Sequence, residues 1–248
     1  MRVAAVYDIH GNLPALEAVL RDIREAGVDL VVVGGDVVPG PMPGETLACL
    51  LDFDIPVQFI HGNGDREMLA QMAGAETGNV PERFRESVRW VARQLQPEYE
   101  QLLAGWPMTA TIEIDGIGDV LFCHATPRND TEIFTRLTPE DRLLPVFEGL
   151  NVRLVVCGHT HMQFDRTVGS TRVVNAGSVG MPYGEPGAYW LLLGPDVQFR
   201  HTLYDLTRAA ERIRGTNYPL AEDFAANNVL QPLSEQIVLE QFTRAQLG

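Results

Sequence analysis

RVAAVYDIHGNLPALEAVLRDIREAGVDLVVVGGD, Arg2–Asp36, decides the fold. An apolar run at 2–7 stops at Asp8, and a second, at 29–36, stops at Asp36. Between them Leu13, Leu16, Val19, Leu20 and Ile23 recur at helical spacing, predicting a helix over 13–26. Asn12 can cap that helix, Pro14 suits its first turn, and Gly27 stops it. IPVQFIHGNGD at 55–65 reads as a third strand. Strand, helix and strand in this order predict a parallel sheet.

Within that stretch, VYDIHGN (Val6–Asn12) raises a chemical question. A buried strand gains nothing by ending on a carboxylate and an imidazole. Residues two apart on an extended chain point to the same side. Asp8 and His10 are therefore expected to reach one common point, which could be a proton, a phosphate or a metal ion.

From Arg66 to Trp106 the strand signals vanish, and Glu82–Leu95 and Glu98–Leu103 read as helices separated by Pro97. We read 66–106 as a helical insertion within a single domain spanning 1–248. Strands are expected again at 109–114, 119–124, 153–159, 164–168, 171–175, 188–193 and 197–204, with a helix at 139–148 and a polar helical tail from about 205. The expected architecture is two mixed sheets flanked by helices.

The 248 residues carry a net charge of −14, a poor match to phosphate backbones, which attract clustered Lys and Arg. No stable nucleic-acid binding is expected. All 19 basic residues are Arg, which excludes a catalytic lysine. No apolar run approaches the roughly 18 residues of a membrane span. The start, MRVAAVYDIHG, does not read as a signal peptide. Cys49, Cys123 and Cys157 form no pair motif. These features lead us to expect a cytoplasmic protein with reduced thiols.

Ligand-type residues recur at the expected strand ends: Asp8 and His10, Asp36, Asn63 and Asp65, His124, then His159 and His161. Four of the six histidines belong to the series. Packing does not explain so many, because buried charge is costly unless paired or metal-bound. Oxygen and imidazole donors without thiolate suit Mn, Fe, Co, Ni or Zn. The candidates are too many for one ion, and two ions sharing a carboxylate fit the count. Paired metals can clamp the attacking and leaving oxygens of an in-line displacement.

Asp8-Ile9-His10, Gly35-Asp36, Gly62-Asn63-Gly64-Asp65, Cys123-His124 and Gly158-His159-Thr160-His161 together resemble the ordered motifs of the calcineurin-like metallophosphoesterase superfamily. Asn175–Gly180 is similar to a glycine-rich loop of its small prokaryotic phosphodiesterases. The resemblance implies a four-layer α/β/β/α sandwich. It implies that Asp8, His10, Asp36 and His161 hold one metal, and that Asp36, Asn63, His124 and His159 hold the other. Asp36 would bridge the two ions, Asp36, Asn63 and His124 would carry the chemistry, and a metal-bridging hydroxide would attack phosphorus. The ions expected are manganese, iron or zinc, with nickel or cobalt as alternatives.

Many family members have His after the Asn, thought to contact phosphate or protonate the leaving group. Here that slot is Gly64. His61 either compensates or is a supporting surface histidine. Arg128, in HATPRND (124–130), is either a phosphate contact or a plain surface residue. Asn175 and Ser178 are expected to shape a loop near the metals. Cys123 and Cys157 read as buried, inert thiols. Trp90, Trp106 and Phe84 read as packing within the insertion, with a cap over the substrate as the alternative. The expected function is a dinuclear-metal phosphoesterase acting on small-molecule phosphodiesters. Its rivals are a non-catalytic scaffold on the same fold, as the eukaryotic retromer scaffold subunit resembles, a protein phosphatase, or a dinucleoside-polyphosphate hydrolase.

Overall fold

The computed structural model describes residues 1–75 and 80–245. Residues 76–79 of the expected insertion and 246–248 of the expected tail lie outside the described residues. In chain order the strands are β1 (Val3–Val6), β2 (Leu30–Val33), β3 (Val57–Phe59), β4 (Thr109–Ile114), β5 (Gly118–Cys123), β6 (Leu154–Cys157), β7 (Phe164–Val168), β8 (Thr171–Asn175), β9 (Ala188–Leu193) and β10 (Val197–Thr202). The helices are α1 (Leu13–Ala26), α2 (Pro43–Leu51), α3 (Asn63–Met72), α4 (Glu82–Gln94), α5 (Glu98–Ala104), α6 (Glu140–Phe147), α7 (Leu206–Arg214), α8 (Ala221–Phe224) and α9 (Glu235–Ala245), with a π-helical segment at Ala225–Leu230.

One sheet has the order β10-β9-β1-β2-β3, and the other β4-β5-β6-β8-β7. In the first, β1, β2 and β3 are parallel, as the opening stretch predicts, and β9 runs antiparallel to both of its neighbours, β1 and β10. In the second, β5, β6 and β8 are parallel, with β4 and β7 antiparallel at the edges. Both sheets are therefore mixed.

The layers follow from the two-residue period of a strand. In the first sheet, Val3, Ala5 and Tyr7 pack with Val120, Phe122, Leu154 and Val156 of the second. The alternate residues Ala4 and Val6 pack against Leu16, Val19, Leu20 and Ile23 of α1. The second sheet repeats the division, with Cys123, Val155, Cys157 and Val173 packing on Leu143, Val146 and Phe147 of α6. The expected α/β/β/α sandwich is thus borne out. Cys123 and Cys157 lie on its α6 side, fully buried, and burial pushes both thiols well up, away from the reactive thiolate.

Helix α1 has the predicted bounds. The Asn12 side chain accepts a hydrogen bond from Ala15 N, and Gly27 ends the helix at φ 63°. Helix α2 carries no sequence expectation above. It follows the Pro- and Gly-rich run 38–44, whose turn signals hide a helix that begins on Pro43 and buries Thr46, Leu47 and Leu50. The third strand is corrected. It ends at Phe59, and residues 63–65 open α3. Gly62 N donates to the Asp65 carboxylate, half of a capping box that turns the chain from strand to helix.

The tail returns to the first half of the chain. Ala209, Ala210 and Ile213 of α7 pack with Leu13, Phe224 and Val229. Trp90 of α4 meets Tyr218 edge-on at 5.4 Å between ring centres, so α4 and the tail touch. Trp106 stacks on Phe59 at 4.7 Å. Among the described residues, no helix is long and apolar enough to cross a membrane.

Candidate metal centre

The expected ligands follow the carboxyl ends of β1, β2, β5 and β6, where open α/β sheets place their sites, and Asn63 opens α3. The reason Asp8 and His10 converge differs from the extended-strand expectation. Strand β1 ends at Val6, and both residues adopt left-handed backbone, at φ 53° and 48°. Asp36 (53°), His159 (66°) and His161 (57°) do the same. These five are the only non-glycine residues with positive φ among the described residues. Each such conformation costs about 1–2 kcal/mol, and strain of this kind gathers at functional sites.

Neighbouring loops pin these turns. Asp8 N donates to Gly35 O and His10 N to Asp36 O, at 3.1 and 2.9 Å. Ser178 Oγ donates to Asp8 O at 2.7 Å, and Asn175 Nδ2 to Gly158 O at 2.6 Å, so both shape the loop as expected. At Gly158 a Cβ would lie 2.5 Å from Asp8 Oδ2, so only glycine lets these loops meet.

The ring orientations reveal the chemistry. His10 Nδ1 donates to Pro39 O at 3.2 Å, His161 Nδ1 to Met181 O at 2.7 Å, and His124 Nδ1 to Gly34 O at 2.9 Å. A carbonyl only accepts, so each neutral ring carries its proton on Nδ1 and turns the Nε2 lone pair inward, the arrangement of metal-ligating histidine. The His10 and His161 Nε2 atoms face each other at 3.2 Å. Asp8 Oδ1 is buried without a hydrogen-bond partner, at 3.3 Å from His161 Nε2 and 3.9 Å from both His10 Nε2 and His124 Nε2. Asp36 Oδ2 lies 3.8 Å from His10 Nε2 and 3.7 Å from His124 Nε2.

Across the cluster, Asn63 Oδ1 is 3.2 Å from His124 Nε2, acceptor against acceptor. Swapping the amide would let its nitrogen donate to His159 Nδ1 at 3.0 Å and to His124 Nε2 at 3.2 Å. Without a cation the nitrogen belongs inward; a bound cation would favour the oxygen there instead. Ligand atoms of Asp8, His10 and His161, and of Asp8, Asp36 and His124, lie within 4.8 Å of one another. An orphaned carboxylate oxygen, opposed lone pairs and a donor set of oxygen and imidazole fit divalent transition metals.

Electrostatics agree. Burial opposes charge on Asp8, but His161, His124 and His10 hold its carboxyl well below the usual range. Burial likewise opposes charge on His124 and His161, yet the Asp36 and Asp8 carboxylates raise both. Burial pushes His159 down to about 4 and lowers His10.

Asp65, one of the strand-end series, is a support and not part of the cluster. Its carboxylate accepts from Asp36 N, Val37 N, Val38 N and Gly62 N at 2.7–3.2 Å. Burial and the Asp36 charge push it up to about 7, and the backbone donors pull the other way. The Asp36 loop is therefore built on the first turn of α3.

His10, Asp36 and Asn63 open onto a cavity of about 550 Å³. Pro39, Gly64 and Arg66 line it near the cluster, and residues of α4 and the tail line it further out. Arg66 was not singled out from sequence. Its Nε and Nη2 bind the Asp130 carboxylate at 2.8 and 3.0 Å, and its side chain is 47% exposed. The strand-to-helix change at Gly62 would have revealed it, in the first turn beside Asn63. Arg128 is not brought to the cavity. It is 52% exposed and grips Glu132 through Nε and Nη2. The His61 Nδ1 atom is buried without a hydrogen-bond partner, 3.7 Å from Asp130 Oδ2.

A model of the calcineurin-like phosphoesterase superfamily domain matches residues 1–194, and the chain belongs to that family. Membership makes it a phosphoric ester hydrolase by class. It is 28% identical over 200 residues to the phosphodiesterase YfcE of Escherichia coli, covering 77% of this chain and 87% of that one. It is 27% identical over 238 residues to an uncharacterized protein of Methanocaldococcus jannaschii, covering 88% and 93% of the two chains. Among solved structures, a metallophosphoesterase from Sphaerobacter thermophilus superposes with a TM-score of 0.68 at 27% identity, covering 91% of this chain and 98% of the other.

Proposed function

We propose that this protein is a phosphodiesterase that hydrolyses small-molecule diesters with two divalent ions. Asp8, His10, Asp36 and His161 would hold one ion, and Asp36, Asn63, His124 and His159 the other. The observation that carries this reading is the convergence of inward-turned Nε2 atoms of His10, His124 and His161 on the unpartnered Asp8 Oδ1, all within 3.9 Å. The likeness to a phosphodiesterase and a cavity of small-molecule size support the substrate class.

When bound, such ions supply a nucleophilic oxygen and offset charge on the phosphoryl group. Asp8 and Asp36 provide the negative charge that two cations need in a buried site. Arg66, held by Asp130 and lining the cavity, is the guanidinium best disposed to grip a phosphoryl oxygen. Asp65 keeps the Asp36 backbone still. With Gly64 in the usual histidine slot, the leaving group departs without a proton from that position.

The test is hydrolysis of bis(4-nitrophenyl) phosphate by protein stripped with chelator and reloaded with manganese, iron or zinc. Activity should vanish and return with the metal. Turnover indifferent to chelation, or fully loaded protein without diesterase activity, would overturn the reading and favour a scaffold.

A further inference from the structure

The cavity beside the cluster has two unlike ends. At the floor are His10, Asp36 and Asn63. The same cavity is lined by Phe84 and Val88 of α4, by Leu220 and Phe224 of the tail, and by Met68 of α3. Phe84, which lines this cavity, is 37% exposed, with the Arg83 guanidinium 4.6 Å over its ring. Met68 and Phe224 of the same lining are 2% and 4% exposed, whereas Val88 and Leu220 are half-buried.

Charge narrows the occupant. Arg66 is the only arginine among the described lining residues; it lies 3.8 Å from Glu67, and Asp223 also lines the cavity. One phosphate at the floor uses Arg66. Besides Arg66 the described lining offers carboxylates, neutral polar groups and apolar side chains and no second cation, which disfavours a polyphosphate chain. An uncharged, flat group would instead bury apolar surface against the wall, a gain of about 25 cal/mol per Å².

We infer that this cavity is a specificity subsite that takes an uncharged aromatic arm of a phosphodiester, held between α4 and the tail while its single phosphate sits at the cluster. This rests on the phosphodiesterase reading above and adds which diesters are preferred. A phosphodiester has two arms; one departs, and the retained arm occupies the subsite. Phe84 and Leu220 are thereby residues that select the substrate, contributed by segments more than a hundred positions apart in the chain.

The experiment compares phenyl 4-nitrophenyl phosphate with methyl 4-nitrophenyl phosphate, which share a leaving group and differ in the retained arm. Manganese-loaded protein should show kcat/KM about tenfold or more in favour of the phenyl ester, the scale of burying one ring. Phe84→Ala and, independently, Leu220→Asp should reduce that ratio fivefold or more. Manganese per chain is measured on every sample, so an unloaded variant is recognised. Calorimetric titration with diphenyl phosphate and dimethyl phosphate reads the subsite without turnover, and the same preference and the same loss in the variants are expected. A wild-type ratio near one, or loaded variants that keep the wild-type ratio, would overturn the subsite and leave the phosphodiesterase reading standing. Loaded protein that hydrolyses neither ester but binds diphenyl phosphate tenfold more tightly, with loss in Phe84→Ala, would support the subsite and overturn the catalytic reading. Failure of both hydrolysis and binding would overturn both.

Discussion

The Nε2 atoms of His10 and His161 face each other at 3.2 Å, while the Nδ1 atoms behind them are tied to the Pro39 and Met181 carbonyls. Two neutral imidazoles so fixed repel through their lone pairs. A proton or a metal ion between them turns that repulsion into attraction, and the adjacent Asp8 Oδ1, buried and unpartnered, points the same way. The backbone strain at Asp8, His10 and His161 is the conformational cost of holding this geometry ready.

Metal stoichiometry should therefore depend on both carboxylates. Wild-type protein should carry two ions per chain. Asp36→Asn and Asp8→Asn should each lose most bound metal and nearly all hydrolysis, because each oxygen lies within 4 Å of imidazoles on both sides of the cluster. Elemental analysis showing two ions retained in Asp36→Asn, with activity intact, would end the dinuclear assignment.

The benefit of metal should grow with pH. In the metal-free protein the His161 pKa is raised above its ordinary 6.5, since the Asp8 carboxylate outweighs burial. That ion pair stabilises the metal-free fold fully below about pH 6.5 and is lost as pH rises through the raised pKa. A metal needs the same nitrogen unprotonated. The rise in Tm on adding manganese should thus be larger at pH 8 than at pH 6, as thermal unfolding would show. An equal shift at both values would remove His161 from the ligand set.

Arg66 and Arg128 can be ranked by kinetics. If Arg66 grips a phosphoryl oxygen, Arg66→Ala should lower kcat/KM by about 1.5–3 kcal/mol, the range for a charged hydrogen bond. Arg128→Ala should cost less, because Arg128 is bound to Glu132 and lies outside the cavity lining. Metal content should hold in both. The reverse ranking would return the phosphate contact to Arg128.

Leaving-group departure should limit this enzyme. General acid assistance contributes about 10²- to 10⁴-fold, and Gly64 offers none. Rates should fall steeply as leaving-group pKa rises across aryl and alkyl diesters; a flat line would show that departure is assisted, and steepening by His61→Ala would identify the acid. Installing the missing histidine meets a steric obstacle. A Cβ at Gly64 would lie 2.6 Å from Pro39 Cγ and 2.9 Å from Asp36 Oδ1. Gly64→His alone should lower Tm and metal content, and Pro39→Gly in the same chain should recover part of both. Full stability of the single variant would show that Pro39 yields freely.

Much of the site was legible because its signals are local. Asp8, His10, Asp36, His124, His159 and His161 each follow an apolar run whose strand character the neighbouring residues set. Helix α1 was legible for the same reason, with its cap, its period and its terminal glycine all inside sixteen residues. Asn63 and Arg66 were harder. Sequence extends β3 through Asp65, whereas the Asp65 carboxylate, bonded to Gly62 N and to the Asp36 loop 28 or so positions earlier, turns that segment into a helix. The sequence by itself determined the candidate ligand types, their order and the two mixed sheets flanked by helices, since periodicity and strand-end chemistry are short-range, while the four-layer sandwich came from the family resemblance. Only the tertiary structure decided that left-handed turns aim the ligands, that Arg66 and not Arg128 lines the cavity, and that α4 and the tail share its wall, because each depends on contacts between segments that no local pattern links.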